Sequence, residues 1–219
     1  MQGELQQIYR SLKAYLKHLQ LLGITSLPRG ELKEEGGNLE EIRLRVQGCK
    51  ACRLYTTRRN PVLGEGNPHA ILVFVGEAPG GEEDLQGRPF VGKAGELLTR
   101  IIQAMGLQRE EVYITNIVKC RPPGNRNPRP DEIEACLPYL FEQFEIIRPK
   151  IICALGSIAA QTLLGTKEKI TSLRGRFHPW KGMLVMPTYH PAFLLRNPQF
   201  KRDVWEDVKM IMEEYKKLT

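Results

Sequence analysis

The run Ile71-Leu72-Val73-Phe74-Val75, passing without a break into Gly76-Glu77-Ala78-Pro79-Gly80-Gly81, decides the fold. Five consecutive apolar residues, three of them β-branched, read as a strand buried on both faces, the mark of a parallel sheet covered by helices. The glycines behind it let the backbone approach a ligand closely. Working outward, the spacing predicts a helix from Lys93 to Met105 with Gly106 just past its end. A second strand is expected over Val112–Val118 and a second helix over Asp131–Ile147, with Asp131 in the first turn behind Pro130. Ile151–Leu155 reads as a third strand and Ser157–Leu164 as a short helix ended by Gly165. Met183–Met186 reads as a fourth strand, and Phe200–Lys217 as the last helix. Repeated strand-helix units imply an α/β fold: three layers, α/β/α, around a central four-stranded, mostly parallel sheet.

Upstream, Leu5, Ile8, Leu12, Tyr15, Leu16, Leu19 and Leu22 recur at helical spacing up to Gly23, and a Gly-, Pro- and charge-rich stretch follows. Residues 1–37 therefore read as an amphipathic helix plus linker, and 38–219 as the main domain. The helix offers an apolar face to the core or to a partner such as a replication clamp. Asn38 with Glu41 three residues on reads as an N-cap opening a short helix through Val46.

The composition fits this picture. With 219 residues, 42% hydrophobic and 26% charged, the chain can bury a substantial core, so wholesale disorder is excluded. The longest uncharged stretch, Ile151–Thr166, is too short for a membrane helix, and MQGELQQIYR lacks the apolar core of a secretory signal. A cytoplasmic monomer is expected. The net charge is +7, of which +6 lies after residue 48. It gathers in Lys119–Arg129, which has no acid, and in Lys167–Arg202, where Glu168 is the one acid. Either stretch alone is a solvated face; flanking a pocket, they make a phosphate track.

In open parallel sheets, ligands bind beyond the carboxyl ends of the strands. Here those ends carry Glu77, Asn116 and His190. An Asn side chain presents an acceptor beside two donors, which fits the edge of a nucleobase. His190 can donate to developing negative charge, and Glu77 can position a water or stabilise positive charge. Taken singly, each has a plainer use in satisfying a loop or capping a helix; their convergence on one rim favours a site.

The five cysteines are too few and odd in number for a disulfide framework. Cys49-x-x-Cys52, Cys120 and Cys136 are four thiols that the alternating fold can bring together, and both zinc and an iron–sulfur cluster accept four thiolates. The spacing of Cys120 and Cys136 is not that of a zinc ribbon's second pair. Cys153, inside the third strand, reads as a small buried hydrophobe.

Four segments, Gly76-Glu77-Ala78-Pro79-Gly80, Gly87-Arg88-Pro89-Phe90-Val91-Gly92, Ile114-Thr115-Asn116-Ile117-Val118-Lys119-Cys120-Arg121-Pro122-Pro123 and His190-Pro191-Ala192-Phe193-Leu194-Leu195, closely resemble family 4 uracil-DNA glycosylases, the iron–sulfur type common in thermophiles. The resemblance covers about residues 39–219. It implies that Phe90 stacks on an extruded uracil, that Asn116 reads its N3–H and O4 edge, and that His190 stabilises the departing uracil anion through O2. It places Glu77 where related families handle the attacking water, and Ala78 and Glu83 where a thymine methyl would otherwise fit. Asn125 is a further supporting candidate, and Leu194, expected to be exposed, resembles the wedge that fills the vacated base stack. It implies a 4Fe–4S cluster on Cys49, Cys52, Cys120 and Cys136, in a structural role. No lysine is assigned to the pocket, so a monofunctional glycosylase acting on uracil-containing DNA is expected. The competing reading is an iron–sulfur DNA-binding member of the same superfamily that is non-catalytic or acts differently.

Overall fold

Helix α1 (Leu39–Gly48) opens where the sequence places it, with Asn38 Oδ1 accepting the Glu41 backbone N–H at 2.9 Å. The computed structural model describes Lys13 and residues 38–219. The expected helix and linker of residues 1–37, and the clamp reading attached to them, lie outside the described residues, Lys13 apart. After α1 come β1 (Glu65–Gly66), β2 (Leu72–Gly76), α2 (Gly81–Gln86), α3 (Lys93–Ala104), β3 (Tyr113–Asn116) and α4 (Pro130–Ile147). The second half contains β4 (Ile151–Leu155), α5 (Ser157–Leu164), α6 (Ile170–Leu173), β5 (His178–Trp180), β6 (Met183–Thr188), α7 (Pro191–Arg196) and α8 (Lys201–Leu218).

The sheet order is β1-β3-β2-β4-β6-β5. Its centre, β3-β2-β4-β6, is the expected four-stranded parallel sheet. Two short antiparallel edge strands, β1 and β5, extend it to six. They left no signal because two or three residues show no period, and β5 contains Pro179, which is tolerated on an edge. The turn from β5 to β6, Lys181-Gly182, has φ of +48° and +78°, the left-handed pair that a two-residue hairpin requires. The short helices α2, α6 and α7 also escaped the periodic reading.

Alternate residues of the strands feed two cores. Val73 and Val75 of β2, with Ile152 and Ala154 of β4, pack against Leu140, Phe144 and Ile147 of α4 and Ala159, Ala160 and Leu163 of α5. Leu72 and Phe74, with Ile151, Cys153 and Leu155, pack against Leu98 and Ile102 of α3 and Val204, Val208 and Ile211 of α8. That is the three-layer arrangement, and it explains the unbroken apolar reading of the strands: both faces are covered. Cys153 is 1% exposed, as its strand position predicts.

The chain leaves β2 towards β3 and leaves β4 in the opposite direction, towards β6. Their carboxyl ends therefore flank the crevice at which such sheets bind ligands.

Candidate active site

A cavity of about 420 Å³ opens at this crevice, lined among others by Glu77, Ala78, Glu83, Phe90, Asn116, Asn125 and His190. All but one of the pocket and wedge candidates read from the sequence are thus brought together. The exception is Leu194, which was expected to be exposed. It is 1% exposed and packs in the core, because α7 turns it inward; Leu195, its neighbour, is 42% exposed.

Gly76, the last residue of β2, organises the floor. A β-carbon there would lie 2.4 Å from Asn116 Oδ1 and 2.5 Å from Phe90 Cζ, so only a bare α-carbon admits both groups. Phe90 and His190 stand with ring centroids 5.6 Å apart and planes tilted by 31°. Gly156, at the end of β4 with φ +91°, lies under His190: a β-carbon on it would meet His190 Cβ at 3.1 Å.

Asn116 is 1% exposed, and its Oδ1 is a buried acceptor with no hydrogen-bond partner among the described residues. Leaving such an atom unpaired costs about 1–3 kcal/mol, a cost that a ligand donor removes. The backbone of Asn116 is held from behind. Lys119 Nζ donates to Asn116 O at 2.8 Å, Thr115 Oγ1 at 2.7 Å and Gln143 Oε1 at 2.5 Å. Burial lowers the Lys119 amine to about 7. This lysine of the third motif therefore points into the core, and no lysine lines the cavity among the described residues.

His190 Nδ1 accepts the Ala192 backbone N–H at 3.1 Å, and since that group can only donate, Nδ1 carries no proton. Burial pushes the imidazole down to about 4, against the opposing pull of Glu83. At neutral pH the ring is neutral, with its proton on Nε2. Glu77 is raised above the ordinary carboxyl range by burial. Both Glu83 oxygens are engaged: Oε1 accepts from Val91 N–H at 2.9 Å and Gly92 N–H at 3.0 Å, and Oε2 accepts from Gly80 N–H at 3.0 Å.

The basic stretches divide into paired or buried cations and exposed ones. Lys119 is internal, Arg126 is paired with Glu132 at 2.7 Å, and Arg174 with the buried Asp207 at 2.9 Å. Arg121 Nε donates to Asn125 Oδ1 at 2.7 Å. Arg196 remains exposed on the cavity rim, as Arg129, Arg176, Lys201 and Arg202 are exposed outside it. Sequence reading did not assign Arg196 or Phe193 to the cavity walls. Their place in the helix after His190-Pro191, beside an assigned site residue, is the signal that could have found them.

The four candidate cysteines line one small pocket, with Tyr139, Arg58 and Lys119. Helix packing gathers them: Ile42 and Val46 of α1 cluster with Tyr139 and Ile146 of α4, and Arg45 pairs with Glu142. This sets Cys49, at the end of α1, beside Cys136 on α4. Arg58 Nη1 donates to Cys120 Sγ at 2.9 Å, and the Lys119 N–H to Cys136 Sγ at 3.2 Å. Burial raises the thiols of Cys52 and Cys120, and that of Cys136 to about 11. Among the described residues, no group of three or more His, Cys, Asp or Glu is arranged to hold a single metal ion.

Residues 63–209 match the Uracil DNA glycosylase superfamily. The chain is 49% identical to the type-4 uracil-DNA glycosylase of Thermotoga maritima, over 82% of this chain and 95% of that one. It is 49% identical to the type-4 enzyme of Sulfurisphaera tokodaii, over 80% of this chain and 84% of the relative. For the enzyme of Archaeoglobus fulgidus the identity is 45%, over 80% and 92%.

The chain belongs to the type-4 uracil-DNA glycosylases.

Within that family its cavity has a plain chemical layout, with a carboxyl at one end of the crevice, a carboxamide on the floor, and a neutral imidazole facing an aromatic ring. Among the described residues, no helix is long and apolar enough to cross a membrane.

Proposed function

We propose that this protein is a monofunctional uracil-DNA glycosylase that extrudes uracil from DNA and hydrolyses its N-glycosidic bond, leaving an abasic site for base excision repair. The observation that carries the reading is the buried, unpartnered Asn116 Oδ1 on the floor of a cavity that also holds Phe90 and His190. Uracil offers an N3–H donor beside an O4 acceptor, which match a carboxamide's oxygen and amino group. Cytosine reverses both, leaving buried groups unpaired, and a mismatch of that kind discriminates by orders of magnitude. Extruding the base costs a few kcal/mol. Stacking on Phe90 and pairing with Asn116 offset part of that cost.

In the reaction the C1′–N1 bond breaks and its electron pair leaves with uracil. The Nε2–H of neutral His190 donates to O2, where the charge collects, without passing a full proton. The sugar develops oxocarbenium character, which the Glu77 carboxylate stabilises. Glu77 also orients the water whose oxygen bonds to C1′ and accepts the proton it releases. With no lysine on the cavity wall, no Schiff base forms. Ala78 and Glu83 exclude a 5-methyl group, Glu83 from a position locked by three backbone N–H groups.

Arg196 on the rim and the exposed cations outside it, Arg129, Arg176, Lys201 and Arg202, take the phosphates. With Leu194 inside, the exposed Leu195 is the leucine of α7 left to fill the vacated base stack. Cys49, Cys52, Cys120 and Cys136 would hold a 4Fe–4S cluster. Thiols spread around a pocket suit a multi-iron cluster better than four ligands converging at about 2.3 Å on one zinc. N–H donors on two sulfurs are the interactions that stabilise bound thiolate. The cluster would supply a cross-link between α1, the segment after β3, and α4. Residues 38–219 form the catalytic domain, acting as a monomer in the cytoplasm.

The test is incubation of uracil-containing oligonucleotides with wild type, Asn116→Ala and His190→Ala, followed by alkali. Wild type is expected to cleave and the variants to lose most activity. No uracil release by wild type, or full activity in both variants, overturns the reading.

A further inference from the structure

Phe90 holds a backbone conformation that its side chain disfavours, with φ +51°. The left-handed region costs an L-residue about 1–2 kcal/mol. A non-glycine residue persists there only where its surroundings over-determine it. Three neighbours do so. Glu83 grips the far side of the turn through the N–H groups of Val91 and Gly92. Gly95 of α3 presses so closely that a β-carbon on it would lie 1.9 Å from Phe90 O. The third is Arg109, between α3 and β3, nineteen residues away in sequence.

Arg109 Nη1 donates to Phe90 O at 3.2 Å, and Nη2 donates to Pro89 O at 2.9 Å. The fork thus bridges consecutive carbonyls at the strained turn. The guanidinium is itself anchored, with Thr99 Oγ1 at 3.1 Å and Glu65 Oε1 at 2.5 Å, and its side chain is 15% exposed. Arg109 does not line the cavity and lies in none of the four motif segments, so its hydrogen bonds act on chemistry only through the Pro89–Phe90 turn.

We infer that Arg109 is a positioning residue for base recognition: its guanidinium locks the Pro89–Phe90 turn so that the Phe90 ring stands pre-set as the stacking platform. The inference rests on the reading of Phe90 as the surface that receives the base. A lysine keeps the charge beside Glu65, but its single nitrogen with three N–H groups cannot serve the four acceptors that the two-nitrogen fork spans, Phe90 O, Pro89 O, Thr99 Oγ1 and Glu65 Oε1.

The experiment compares Arg109→Lys, Phe90→Ala and the double variant, measuring kcat and KM on a uracil oligonucleotide and inhibition by free uracil. Arg109→Lys is expected to lower kcat/KM by about tenfold or more, since small displacements of positioning groups carry costs of this order. Free uracil is expected to inhibit it correspondingly less, and melting is expected to change little. In the Phe90→Ala background, Arg109→Lys is expected to have no further effect. Arg88→Met, which removes the exposed second partner of Glu65, is expected to leave activity unchanged. Should Arg109→Lys not fold, the pair Glu65→Met/Arg109→Met, which buries no unpaired charge, carries the same expectation. Wild-type kinetics and uracil inhibition in Arg109→Lys, or an undiminished effect without the Phe90 ring, overturn the inference. If Phe90→Ala itself keeps full activity and uracil inhibition, the stacking reading fails and takes the inference with it. If Phe90→Ala is impaired while Arg109→Lys is not, only the inference fails.

Discussion

Gly76 lies directly against the Asn116 carboxamide: a β-carbon built on this glycine would stand 2.4 Å from Asn116 Oδ1, closer than any real contact allows. The same carbon would strike Phe90 Cζ at 2.5 Å, so the end of β2 must remain bare for the reading edge and the stacking ring to meet. Gly76→Ala is therefore expected to displace both groups. Uracil release should fall by about 100-fold, the scale set by small misplacements at a reacting centre. Folding should survive, because the displaced atoms are side-chain ends. Single-turnover rates with parallel thermal melts check this.

Asn116→Leu separates function from stability. The substitution removes the buried oxygen that has no partner among the described residues, so the melting temperature is expected to hold or rise, reflecting relief of up to about 1–3 kcal/mol. Uracil release is expected to fall by about 1,000-fold or more, because both hydrogen bonds to the base edge are lost. A stable variant with near-wild-type activity would contradict the role given to Asn116.

The neutral state of His190 has a pH signature. Its imidazole titrates at about 4 in the folded protein, against an ordinary value of 6.5. The folded state therefore prefers the deprotonated ring. The stability this contributes is complete above about pH 6.5 and is lost progressively as the pH falls from there towards 4. Urea midpoints should decline across that window and decline less in a His190→Gln variant. Observing the ring by NMR, we expect it still neutral at pH 6; protonation near 6.5 would show that burial does not control it.

Replacing Cys136 by Ser should release iron, abolish broad absorbance at the blue end of the visible spectrum, and lower the melting temperature, since α1 is tied to α4 close to this residue. The Cys153→Ser control, on a strand away from the pocket, should keep full iron content. Purified protein without iron would remove the cluster from the account.

Leu195→Ala should slow release from duplex far more than from single-stranded substrate, as expected of a side chain that replaces an extruded base. Leu194→Ala should instead lower stability by about 2–5 kcal/mol, as for a buried leucine. Added salt should weaken binding of both substrates steeply.

The parallel core, its two helical layers and most of the site were legible because each rests on local chemistry. Uninterrupted apolar runs mark strands covered on both sides, and Gly106 and Gly165, with φ of +79° and +63°, end helices where the pattern stops. Glu77, Asn116 and His190 were found because strand ends in such a sheet share one rim. The edge strands were missed because two or three residues carry no period. The inward turn of Leu194, the interior fate of Lys119 and Arg174, and the grip of Arg109 on Phe90 have another origin. A side chain's direction and partners depend on elements distant in sequence, here 24 residues for Lys119 and Gln143 and 33 for Arg174 and Asp207. The sequence by itself determined that Glu77, Asn116 and His190 meet on one rim. Only the tertiary structure decided which cations are left exposed, which leucine is free, and what holds a strained aromatic ring in place, because burial and charge pairing are settled by packing between elements rather than within them.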